Sequence, residues 1–299
     1  MIDTDTKLTN WHHTDSSQGN ILFGGIDTKK YKGDLTRIKI YPSNNGYYFS
    51  FTVAMTELKA VSSSGNDTLT SDEFPIAVVL DSGTTLSYLP QDLTEQVWHE
   101  VGAIYSNKIG IAVIPCTKKS SGGYFSFQLG GPSGPRINVG MDELVLDLTN
   151  GKPPKFSGGQ YKGQDMCEFG IQNFTQSPYL LGDTFLRSAY VVYDLVNNEV
   201  ALAETDFNST QSNLVAFASM GAPIPSATQA PNQAAVTNRP AVTSPGFSAS
   251  SGFSDGSGNG GEDENASPGM PSAFGVAQMS VMGVSMVFAM IGSGIFALL

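Results

Sequence analysis

Cysteine is nearly absent from this 299-residue chain: Cys116 and Cys167 are accompanied by three histidines, His12, His13 and His99. Two thiols cannot build a tetrahedral zinc site alone and the histidines offer no convincing further ligands, so no metal is expected. A single disulfide is the more economical reading, and it requires an oxidising compartment. Basic residues are also scarce, 16 Lys and Arg against 27 Asp and Glu, for a net charge of -11. Phosphate backbones attract basic surfaces, so nucleic acid is not an expected partner. A serine hydrolase would need a nucleophile elbow with a placed histidine, and the sequence offers no such arrangement. The glycines of "LGGPSGPR" suit a turn between strands better than a phosphate loop, and no cofactor is expected. The opening "MIDTDTKLTNWHH" is polar and charged, without the apolar core of a signal peptide.

What is present is turn-forming and strand-forming. Glycine (33) and proline (16), with many Ser, Thr and Asn, favour a turn-rich β protein in the folded portion. "NILFGGID" predicts a short strand closed by Gly24 and Gly25, and strand-like runs follow over 34–41, 47–55 and 73–80. After Pro90 the period changes. Leu93, Val97, Trp98, Val101, Ile104 and Tyr105 fall near helical spacing, predicting a short helix with Trp98 as a core anchor. Alternation returns in "YFSFQLGG" and "RINVGMDELVLDL". "SPYLLGDTFLRSAYVVYDLVNNEVALAE" reads as strand, Gly182 turn, helical turn, long strand, Asn197–Asn198 turn and strand.

The folded part is expected to end near Phe207. Residues 208–264 are rich in Ser, Thr, Pro, Ala, Gly and Asn, a composition of a disordered stalk. No charge follows Glu264, and the last 21 residues are mostly apolar. That run is long enough to span a bilayer, but no Lys or Arg follows it. Small residues at Asn265, a spacer over 268–278 and an apolar tail fit a glycosylphosphatidylinositol attachment signal better, with Asn259 as a second candidate. Sequons at Asn66, Asn173, Asn208 and Asn265 fit passage through a secretory compartment. Because such an anchor needs secretory entry, the chain as given is expected to be N-terminally incomplete.

The chemistry centres on "AVVLDSGTTLSYLP". Asp81 follows an apolar strand. Gly83 is a turn residue, and Ser82, Thr84 and Thr85 surround the carboxylate with hydroxyls able to orient it. Taken alone, this is also what a surface β-turn looks like. Here, however, the motif resembles the second active-site loop of pepsin-like aspartic proteases. "ILFGGIDTKKYKGDLTRIKIY" is similar to their passage from first to second lobe, and "YLLGDTFLRSAYVVYDLVNNEVALA" to their closing segment, with Gly182 under the aspartate. Cys116 and Cys167 match the disulfide of the second lobe, and the Ser/Thr-rich tail with an anchor signal resembles the fungal yapsin-like branch.

The resemblance implies an all-β fold with short helices, the C-terminal lobe of a bilobal protease. Residues 1–40 would be the end of the first lobe and the connection, 41–207 the lobe, 208–264 the stalk and 265–299 the anchor signal. It implies that Asp81 is one of two carboxylates sharing a proton and acting on a peptide or protein substrate through a water molecule. Ser82 would brace the paired loops, and Thr84 and Thr85 would lie near the bound peptide. The implied setting is extracellular, on a membrane by its lipid anchor or in the cell wall. A first-lobe Asp-Thr-Gly loop is missing: Asp15 and Asp183 lack the following glycine. Three readings stay open. The chain is part of an anchored endopeptidase whose first lobe lies upstream, or a noncatalytic surface protein, or a homodimer rebuilding the pair from two Asp81 residues.

Overall fold

The computed structural model describes residues 19–235, except 70, 72, 73, 150 and 151. "IAVVL" at Ile76–Leu80 is buried at every position, as an uninterrupted apolar run must be when both faces of its strand are covered. It sits near the middle of a sheet of eight strands, in which Arg136–Gly140, Tyr124–Leu129, Thr52–Ser62, Ile76–Leu80, Tyr179–Leu181, Ser87–Pro90 and Ile171–Phe174 are successive neighbours. The eighth, Gly65–Leu69, forms a hairpin with the far half of Thr52–Ser62.

One crossing in this sheet creates the site. Tyr179–Leu181 lies between two strands that follow each other in sequence, parallel to Ile76–Leu80 and antiparallel to Ser87–Pro90. The intervening residues 81–86 must therefore arch over the end of the inserted strand. Phe125 and Phe127 of this sheet share one core with Phe169 and Phe185, all fully buried, each stabilising the fold by about 1.5–3 kcal/mol relative to exposure. Phe127 and Phe185 meet edge to face with centroids 5.2 Å apart.

A second sheet joins Val145–Leu146, Met166–Phe169, Ile111–Pro115 and Ile104–Ser106. At its side Cys116 and Cys167 form a disulfide. A third contains Ala189–Asp194, Glu199–Thr205, Tyr31–Lys39 and Ala227–Gln229. The closing segment follows the predicted order, with a turn at Asn198 (φ 52°).

The helix is Gln91–Val101, burying Leu93, Thr94, Val97 and Trp98. Trp98 is the expected core anchor, its indole N–H donating to the Ile171 carbonyl at 2.9 Å. Ile104 and Tyr105 are not helical, because Gly102 turns into the left-handed region (φ 75°) and ends the helix. The first strand is Gly25–Asp27 rather than the apolar run before it, and Ile21 and Phe23 are more than half exposed. Tyr47–Phe49 likewise lies outside the strand expected there, which begins at Thr52.

The chain also stays packed beyond Phe207, where the expected lobe boundary lay. Leu214–Ala216 pairs with Gly25–Asp27, and Ala227–Gln229 with Tyr31–Lys39. Ile224 and Ala230 are 2% and 4% exposed. Small and polar composition suggested a stalk, but two edge pairings and two apolar anchors hold this stretch to the lobe.

Candidate active site

Asp81 stands one residue past the end of Ile76–Leu80, where its backbone N–H donates to the Leu181 carbonyl at 3.0 Å. The loop grips its carboxylate from within. The Gly83 N–H donates to Oδ1 at 3.0 Å, and the Thr84 hydroxyl donates to Oδ2 at 2.5 Å. One donor on each oxygen fixes both the rotamer and the plane of the carboxylate. Asp81 remains partly exposed, with Ser82 and Thr85 of the same loop exposed, so the carboxylate is both held and reachable.

Gly182 permits this arrangement. Its backbone is ordinary (φ -90°), so the requirement for glycine is one of space. A Cβ there would lie 2.2 Å from the Thr84 carbonyl oxygen and 2.4 Å from that of Leu86. The close approach lets the Asp183 N–H donate to Thr84 O at 2.8 Å and the Thr184 N–H to Thr85 O at 3.1 Å. Thr184 and Ser87 hydroxyls lie 3.1 Å apart beneath, and Thr184 also donates to the Gly170 carbonyl.

Asp183, assigned from the sequence only to the closing segment, brings a second carboxyl close enough to interact with Asp81. Burial raises its pKa to about 6, with Arg187 opposing the rise and the Asp81 charge adding to it. Arg187 is itself engaged by Glu143, through a 2.5 Å ion pair and a 2.8 Å hydrogen bond to the Glu143 carbonyl. Asp183 is therefore a half-buried neighbour whose own ionisation responds to the Asp81 charge. Tyr193, also missed in the sequence, packs its ring 4.4 Å from that of Phe51. It keeps 38% of its surface exposed, yet packing around the phenol and the Asp81 charge raise its pKa. The signal available in the sequence for both was only their place in the closing segment.

On the strand leaving the loop, Tyr88 meets Phe174 edge-on at 6.0 Å. Burial pushes Tyr88 up to about 12, with nearby Glu168 adding to the shift, and burial raises Glu168 as well. Of the candidate glycosylation sites, Asn66 and Asn208 are exposed while Asn173 is half-buried in the Ile171–Phe174 edge strand. Asn259 and Asn265 lie outside the described residues, as do the candidate anchor signal and the opening polar segment.

A solvent-reachable carboxylate is thus held by Gly83 and Thr84 of its own loop, over a strand inserted between the two strands that the loop joins. The family model for eukaryotic aspartyl protease matches residues 8–205. Over 220 residues the chain is 40% identical to a probable aspartic-type endopeptidase OPSB of Arthroderma benhamiae, covering 73% of this chain and 43% of that protein. It is 34% identical over 237 residues to aspartic proteinase 3 of Saccharomyces cerevisiae, covering 77% and 37%. It is 35% identical over 204 residues to secreted aspartic protease 9 of Candida albicans, covering 66% and 34%. The chain belongs to the eukaryotic aspartyl protease family, and it spans less than half the length of these relatives.

Proposed function

We propose that this chain is the second lobe of a secreted aspartic endopeptidase and that Asp81 is one of two carboxylates that activate water against a peptide bond. The observation that carries this reading is the grip on Asp81, whose two oxygens each accept a hydrogen bond from the loop while the residue stays open to solvent. The second carboxylate comes from a preceding lobe. Two carboxylates about 3 Å apart cannot both ionise, so they share one proton. The ionised one takes a proton from the attacking water, and the protonated one donates to the scissile carbonyl. Thr84 keeps the Asp81 oxygens from rotating away.

Support for a preceding lobe comes from the third sheet. Its Ala189–Asp194 strand has one neighbour among the described residues, Glu199–Thr205. Tyr193 on that strand and Leu195 and Val196 in the turn that follows it are 38%, 59% and 58% exposed, apolar surface that a preceding lobe would cover. The relatives' lengths leave room for one. Secretion is supported by the disulfide and by the name of the Candida albicans relative. Attachment to the cell surface through a lipid at Asn265 or Asn259, and glycans at Asn66, Asn173 and Asn208, complete the reading. Among the described residues no helix is long and apolar enough to cross a membrane.

The test is Asp81→Asn in the protein carrying both lobes. Peptide cleavage should fall by a factor on the order of 10³, with an unchanged thermal midpoint. Retained cleavage would remove Asp81 from the mechanism.

A further inference from the structure

The family match ends at residue 205, yet paired strands follow it, at Leu214–Ala216 and Ala227–Gln229. This continuation crosses the lobe twice as a strand. Leu214–Ala216 adds to Gly25–Asp27 antiparallel, and Ala227–Gln229 adds to Leu35, Thr36 and Arg37 in parallel, forming the outer strand of the third sheet. Between these crossings Ile224 enters a small separate core with Ile26, Leu35, Val192, Ala201 and Ala203.

Both ends are fastened by hydrogen bonds. At the near end Asp27, 5% exposed, accepts from the Asn213 N–H at 2.8 Å, the Ser212 hydroxyl at 2.6 Å and the Lys29 N–H at 3.0 Å. Burial pushes the Asp27 carboxyl up, but these hydrogen bonds and Lys30 hold it below its ordinary range. At the far end the Gln233 side-chain oxygen accepts from the Lys39 N–H at 2.7 Å, the Ala230 N–H donates to the Arg37 carbonyl at 3.0 Å, and the Tyr41 hydroxyl donates to the Ala234 carbonyl.

We infer that residues 206–235 are an edge guard: a clasp whose task is to occupy the Leu35–Lys39 part of the Tyr31–Lys39 edge and so prevent two copies of the protein from pairing through it. The physical reason is that an uncovered edge strand presents a row of free N–H and C=O groups, a template for another chain. Without the clasp, that row would adjoin the apolar surface now under Ile224. The covered edge lies on the opposite side of the sheet from Ala189–Asp194, so the clasp leaves the latter available.

The experiment uses the full-length protein with Asp27→Asn and Ser212→Ala combined, followed by hydrogen exchange and by sedimentation across a concentration series. Exchange at Leu214–Ala216 and Ala227–Gln229 should quicken about tenfold or more while Ile76–Leu80 keeps its protection, and a concentration-dependent dimer should form. Unchanged exchange in the clasp overturns the inference, as does an opened clasp on a protein that stays monomeric. Should the paired variant lose protection everywhere, Gln233→Ala at the far end decides by the same two readouts. Opening with dimerisation supports the guard, and any other result refutes it.

Discussion

Replacing Gly182 by alanine tests the contact on which the Asp81 loop depends. The added methyl would sit 2.2 and 2.4 Å from the carbonyl oxygens of Thr84 and Leu86 and 2.9 Å from the Thr84 carbonyl carbon, all of them backbone. No rotamer change can relieve such overlap, so the loop must lift from the closing segment. Overpacking of this kind costs about 1–3 kcal/mol. Lifting the loop also breaks the Asp183 and Thr184 N–H bonds to Thr84 and Thr85, at about 1 kcal/mol each. Together these give about 3–5 kcal/mol, which for a lobe of this size lowers the thermal midpoint by roughly 10 °C. The control is Gly122→Ala, where a Cβ meets nothing within 4 Å. Thermal unfolding of the two variants side by side is the assay. A Gly182→Ala protein within about 1 kcal/mol of the control would show that the loop is not held by this approach.

Asp183 supplies a pH prediction. Its folded pKa of about 6 lies above the ordinary 3.8, so the folded state binds the proton more tightly than the unfolded chain. Stability should therefore fall as pH rises through the window between those values, by up to about 3 kcal/mol, and level off above it. Asp183→Asn should flatten that slope in a series of thermal melts, and an identical slope in the variant would refute the assignment. Converting Cys116 and Cys167 to alanine releases a bridge across a sequence separation of 51, worth about 4 kcal/mol on the chain-entropy account. Denaturant titration that finds less than about 1 kcal/mol would mean that the surrounding sheet alone fixes this region.

The sequence by itself determined the parts of this protein that local pattern controls. The buried run Ile76–Leu80, the turn at Asp81, the closing segment with its Asn198 turn and the amphipathic helix carrying Trp98 were all legible, because period, turn chemistry and apolar content act over a few residues. The family was legible for a related reason: the Asp-Ser-Gly-Thr-Thr loop and the Leu-Leu-Gly segment are short and specific. What lay beyond was decided by contacts distant in sequence. Gly182 is required because strand insertion brings it against Thr84 and Leu86, nearly a hundred residues earlier. Asp183 titrates high because burial and Asp81 meet there. Residues 206–235 are fixed to the lobe because Asp27 and the Tyr31–Lys39 edge lie far upstream. Their polar, small-residue composition describes a stalk, and only the edge they cover makes them part of the fold.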